Sequence, residues 1–170
     1  MKSVFRKLQN RYLLSFCVPV VLMLGIFVAR GIYPFGNNSF MFSDMYHQYV
    51  PFLTEFWHKL HGGESLAYSW RAGLGSDFVA IYGYYLASPV NWLCYFVPEA
   101  YLIEFMTYFI VLKTGLCGLT FAFYLSRHYD TKDLCIVWFA VFYAMSGFLA
   151  AYSWNHMWMD VVWLAPLVIL

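Results

Sequence analysis

Charge is what this chain has least of. Only 11% of its residues are charged and 62% are hydrophobic, whereas a soluble domain carries roughly 25% charged residues. A water-soluble surface is thereby excluded, and an all-α membrane protein is expected. Ten Lys and Arg nearly cancel nine Asp and Glu, which leaves neither the basic field that nucleic acid attracts nor an acidic tail; nucleic acid is excluded as a partner. Cysteine is also scarce. The chain has four, with no CxxC pair and no metal-ligand spacing, so Cys17, Cys94, Cys117 and Cys135 read as packing residues. A nucleotide-binding loop is missing too, because "GLGS" at 73–76 lacks the following Lys of a P-loop and no βαβ unit surrounds it.

Long apolar runs dominate what remains. Tyr12 to Ile32 holds one charge, Arg30, and at 1.5 Å per residue it reaches about 31 Å, enough for a hydrocarbon core. Lys2, Arg6, Lys7 and Arg11 precede it like the n-region of a signal peptide. The run is too long for one, however, and no small-x-small cleavage site ends it. Further apolar segments cover about 100–125 and 134–152, and a fourth opens near Met159. With the N-terminus and the "SRHYDTKD" turn at 126–133 in the cytoplasm, Lys and Arg concentrate there, as the positive-inside rule requires. Residues 33–99 then form a long outer loop. The fourth segment has only about a dozen residues where about 20 are needed to cross, so the expectation is the N-terminal part, 1–170, of a longer multi-span membrane domain, itself inactive in isolation.

In the outer loop, Tyr46, Tyr49, Val50, Leu53, Phe56, Trp57 and Leu60 recur at offsets of three and four. The spacing predicts an amphipathic helix over 45–61, ended by Gly62-Gly63 and lying flat on the membrane, aromatic side down. Asp44, His47, Gln48, Glu55 and His58 fall on its opposite, polar side. "SD" before a helix reads as an N-cap; the competing reading of Asp44 is a general base for an incoming hydroxyl. Arg71 has the guanidinium that holds a phosphate bidentately, or else pairs with Asp77 or Glu64.

Of the charges in or near spans, two bear on function. Lys113 stands mid-span, where a cation is costly and marks a functional site by default, unless it pairs with an acid on a helix beyond Leu170. His156 and Asp160, at i and i+4 where the fourth segment opens, form a pair able to ligate a divalent ion; a helix-start Asp among interfacial Trp residues is the plainer account.

The order "SDxxxQY" (43–49), "GLGSxF" (73–78), "YYLASPVNWL" (84–93), "YAMSGF" (143–148) and "NHMWMDVVWLAPL" (155–167) resembles the bacterial YfhO-type membrane proteins, over residues 43 to the end. That resemblance implies a GT-C-like transmembrane helix bundle and a glycosyltransferase that takes its sugar from a polyprenyl-phosphate donor at the membrane. The acceptor it implies is an extracytoplasmic glycopolymer of the teichoic-acid type. It further implies Asp44 as catalytic base and Asp160, with His156, on a divalent cation, Mg or Mn, or on the donor phosphate. From the residues themselves, His47 and Gln48 support the base on the polar face, and Arg71 and Lys113 are the expected contacts of the donor phosphate. The chain lacks a DxD doublet after its third span, which counts against metal dependence. A transporter or flippase of lipid-linked sugars is the alternative from a different functional class.

Overall fold

The computed structural model describes residues 2–170, with side chains from residue 10 onward; the side chains of Lys2, Arg6 and Lys7 lie outside the described part. In chain order the elements are α1 (Lys2–Arg30), a π-helical turn (Met45–Tyr49) running into α2 (Val50–Gly62), and a short hairpin of β1 (Tyr68–Ser69) and β2 (Ser76–Asp77). Then come α3 (Phe78–Ile81), a second π-helical turn (Tyr82–Leu86), and 3-10 segments at Pro89–Phe96 and Glu99–Tyr101. The chain continues through α4 (Leu102–His128), α5 (Cys135–Ala144), α6 (Gly147–Tyr152) and α7 (His156–Val168). Among the described residues, three helical stretches are long and apolar enough to cross a bilayer: Asn10–Arg30, Glu99–His128 and Cys135–Tyr152.

The chain divides into two compact units. One, here the span unit, comprises the residues up to Asn38 together with Phe109–Ser153 and Trp158–Leu170; the other, the loop unit, comprises Ser39–Tyr108 and Trp154–Met157.

In the span unit α4 is the most buried of the three long helices, and its small residues explain why. A side chain at Gly118 would meet the Ser15 carbonyl and Pro19, and one at Gly115 would meet Phe16 and Val20, so α1 and α4 approach backbone to backbone. This is the small-residue packing that replaces the hydrophobic effect between helices in lipid. Thr114 and Thr120 return their hydroxyls to the carbonyls of Ile110 (2.8 Å) and Leu116 (2.9 Å), which leaves no exposed donor. Ala122, Ile136 and Ala140 form a small core with Tyr12 and Leu125 against it. Arg11 is buried and donates to the Thr131 carbonyl at 3.1 Å, which ties the start of α1 to the α4–α5 turn. At its other end α1 stops at Gly31, φ +60°, where the Ile32 amide returns to the Phe27 carbonyl at 2.9 Å, a Schellman closure.

The uninterrupted span expected over 134–152 is broken. Ser146 is extended, ψ 155°, and α5 ends at Ala144. The freed amides are recovered locally, Met145 to Val141 at 2.8 Å and Ser146 to Tyr143 at 3.3 Å, before Ala150 to Ser146 at 2.9 Å restarts the helix. Such recovery is what lets a helix break at membrane depth. Cys135, expected to pack, is exposed, whereas Cys94 and Cys117 are buried.

In the loop unit the helix predicted over 45–61 forms, and Gly63 in the left-handed conformation (φ 63°) caps it. Its apolar stripe turns inward rather than onto a membrane. Tyr49, Leu53 and Phe56 are buried together with Phe78, Leu86 and Cys94, and the Phe56 ring meets Trp92 edge-on at 5.1 Å. Residues 66–99 bring enough aromatic surface to cover the stripe. Trp57 donates to the Val97 carbonyl at 2.8 Å, and His61 stacks between Trp57 (3.9 Å) and Tyr95 (4.7 Å).

Candidate functional site

Asp44 opens the first helix of the loop unit without capping it. Its backbone is already helical (φ −65°, ψ −19°) and its side chain accepts no cap hydrogen bond. The turn is closed from one residue earlier: Ser43 sits at φ 47° and its carbonyl receives the amides of Tyr46 (3.1 Å) and His47 (3.4 Å). The Asp44 carboxylate, half-buried, makes no hydrogen bond or ion pair among the described residues.

Beside it lies a group of polar aromatics. Tyr49 is buried and donates its hydroxyl to Asn155 Oδ1 at 2.9 Å; its ring meets Tyr85 edge-on at 5.3 Å and lies 6.1 Å from His156. Tyr85 in turn donates to Gln48 Oε1 at 2.7 Å. Burial pushes the Tyr49 phenol well above its ordinary range, with Tyr85 and the Asp44 charge adding to the effect. Tyr85 is raised by burial, then by Tyr84 and Asp44. Both phenols therefore remain protonated donors next to an ionisable acid. His47 is exposed, its ring edge-on to Tyr46 at 5.1 Å. The sequence places Tyr49 only on the apolar stripe and marks neither Asn155 nor Tyr85 as a site residue, since no spacing rule joins positions 49, 85 and 155.

A second cluster centres on Glu55, expected on the water-facing side and found buried at 7% exposure with Lys59 at 3%. Glu55 Oε1 accepts from Ser69 at 2.6 Å and lies 3.6 Å from Lys59 Nζ. Lys59 donates to the carbonyls of Ser65 (2.9 Å) and Tyr68 (2.8 Å). Arg71 reaches Glu55 Oε2 through one nitrogen at 3.4 Å while 58% of its side chain stays exposed. It pairs with neither Asp77 nor Glu64. Asp77 instead caps α3, accepting from the Val79 (2.9 Å) and Ala80 (3.4 Å) amides. His58, expected to be solvated, lies 3.1 Å from Glu99.

In the span unit Lys113 is paired within the chain. Its Nζ lies 3.0 Å from each Asp160 oxygen, and Trp163 Nε1 donates to Asp160 Oδ1 at 3.0 Å. The acid it meets is Asp160 on α7, within this chain, and not one on a helix beyond Leu170. This commits both Asp160 oxygens and takes up the Lys113 charge. His156 belongs to the loop unit, where it is buried. Among the described residues no group of three or more His, Cys, Asp or Glu side chains converges to hold a metal ion.

No curated protein and no solved structure matches the chain. The family described as "Bacterial membrane protein YfhO" matches residues 15–170, a stretch that takes in both the Asp44 group and the Lys113–Asp160 pair. With its three apolar helices and nearly whole-length match, the chain belongs to the YfhO family of bacterial membrane proteins.

Proposed function

We propose that this chain contributes the base and the donor-phosphate contact of a membrane glycosyltransferase, which moves a sugar from a polyprenyl-phosphate donor to an extracytoplasmic glycopolymer such as a teichoic acid. The observation that carries the reading is the Asp44 carboxylate: it sits at a helix start, yet is not spent on capping and accepts no hydrogen bond among the described residues. In the reaction the acceptor hydroxyl oxygen attacks the anomeric carbon as its proton passes to Asp44. The anomeric carbon–oxygen bond to phosphate breaks, and the polyprenyl phosphate leaves with the electron pair. A phosphate leaving group needs no proton, so one carboxylate suffices, unlike the paired acids of glycosidases. Arg71, held by one nitrogen, has N–H donors left over for the developing phosphate charge. Tyr49 and Tyr85 supply neutral hydroxyls beside the base, and Gln48, with His47 next to it, completes the polar side.

A divalent cation does not fit the residues proposed for it. Asp160 is committed to Lys113 and Trp163, so no step is assigned to a metal, and Lys113 is read as the partner of Asp160 rather than as a phosphate ligand. The proposed topology has the N-terminus cytoplasmic and the loop unit outside, where lipid-linked sugar and polymer meet.

Asp44→Asn in the full-length protein should abolish sugar transfer while leaving membrane insertion intact; transfer near the normal rate would remove Asp44 as the base. The broken third span favours a second reading, a flippase for lipid-linked sugars, because interrupted helices recur at transporter sites. Reconstituted vesicles separate the two: movement of lipid-linked sugar without covalent transfer identifies transport.

A further inference from the structure

The loop unit places a buried ion cluster directly behind a loop that leaves two large apolar side chains in the open. Strands β1 and β2 pair Tyr68 with Asp77 and Ser69 with Ser76, leaving residues 70–75, "WRAGLG", as the hairpin tip. Two large apolar side chains there face outward, Trp70 at 79% exposure and Leu74 at 100%.

The tip is nonetheless firmly built. Gly73 (φ 63°) and Gly75 (φ 107°) take left-handed turns, and a side chain at Gly75 would collide with the Tyr68 hydroxyl. The Trp70 ring meets Tyr68 edge-on at 4.9 Å. Lys59 anchors the Tyr68 carbonyl, Ser69 is bound to Glu55, and the Arg71 amide is bound to the Ser69 hydroxyl at 3.1 Å. Ordering a loop this way while leaving a Trp and a Leu in water is unfavourable unless something apolar covers them.

We propose that the Trp70–Gly75 tip docks into the phospholipid bilayer, with Trp70 and Leu74 in the upper acyl region and the Arg71 guanidinium at the level of the lipid phosphates. Three features select a bilayer as the occupant. The residue set matches the interface: Trp is the side chain that settles at headgroup depth, and Arg pairs with phosphate there. The patch is two side chains at a hairpin tip, 79% and 100% exposed, which suits a fluid surface better than a protein groove. The segment is also tethered at both ends by candidate spans, Asn10–Arg30 before it and Glu99–His128 after it, so the tip is held at high effective concentration near lipid and a small apolar area is enough. The Arg71 nitrogens not held by Glu55 would then stand at the depth where a lipid-linked donor also carries its phosphate.

The test uses the full-length protein, its native cysteines replaced, with a single fluorophore at Leu74→Cys or, as a reference, at Lys132→Cys in the exposed α4–α5 turn. Both are reconstituted in phosphatidylcholine vesicles. Brominated acyl chains should quench the label at 74 at least threefold more than the label at 132, and aqueous iodide should quench it correspondingly less. Adding Trp70→Ser should at least halve the quenching by brominated lipid. A label at 74 as open to iodide as the label at 132 would overturn the proposal. Shielding from both quenchers would overturn it equally, by showing protein rather than lipid over the tip. Because Leu74 touches no neighbour, its replacement leaves the hairpin intact; slow hydrogen exchange at the Phe78 amide, bound to the Ala67 carbonyl at 3.0 Å, verifies this.

Discussion

Replacing Glu55 by Ala removes the acceptor that Ser69, Lys59 and Arg71 share, and leaves the Lys59 ammonium buried at 3% exposure. At 3.6 Å the Glu55–Lys59 attraction is roughly 4–5 kcal/mol at an effective dielectric of 20, and breaking a buried pair typically costs about 3–5 kcal/mol. The lower end applies here, because Lys59 keeps two carbonyl acceptors and the exposed Glu64 carboxylate at 3.8 Å. The cost is therefore about 3 kcal/mol, felt where the hairpin leaves α2. Hydrogen exchange reads it locally: the Phe78 and Arg71 amides should exchange roughly 100-fold faster, since about 1.4 kcal/mol is tenfold. Glu55→Gln keeps an acceptor for Ser69 and should accelerate exchange only about tenfold. Unchanged exchange at both amides in Glu55→Ala, with the protein otherwise folded, would refute the idea that the buried ion cluster holds the hairpin.

Lys113→Met should cost the span unit about 3–5 kcal/mol by stranding Asp160, lowering the temperature at which the detergent-solubilised protein stays monodisperse. Lys113→Met with Asp160→Leu should recover much of the loss, since neither charge is then stranded, although the Trp163 donor loses its acceptor. Gly118→Val sets a branched side chain against the Ser15 carbonyl and should separate α1 from α4. Cross-linking between cysteines on the two helices should fall, whereas Gly25→Val, with open space around it, should leave it unchanged. Burial raises the Cys94 thiol from 9.0 to about 11, so the folded state favours the neutral form. The stability this provides is full below pH 9 and lost as pH climbs toward 11; maleimide labelling of Cys94 should stay slow at pH 8 and accelerate over the same window.

The α2 helix shows how far periodicity reaches. Apolar offsets of three and four and a closing Gly pair located it to within a residue or two, because those signals are local. The same pattern misjudged its surroundings. The helical wheel presents Glu55 on a wet side, yet it and Lys59, at i+4, are buried because the hairpin at 68–77 folds over them. The helix was expected to rest on lipid, yet residues 66–99 covered its stripe first. Asp44 stood out in the sequence as the acid heading that helix, but whether it capped the helix depended on a left-handed Ser43 that no residue type announces. The break in the third span escaped notice because "YAMSGF" is apolar enough to continue a helix; the interruption rests on one extended serine.

Composition and apolar length determined by themselves that this is a helical membrane chain with a long aromatic loop, since the bilayer imposes on sequence a length and polarity that can be read residue by residue. Only the tertiary structure decided which charges meet. Lys113 with Asp160, Glu55 with Lys59 and Arg71, and Tyr49 with Asn155 are joined by packing between elements far apart in the chain or facing away from the expected side. Electrostatic pairing depends on distance in space, which one-dimensional spacing does not carry.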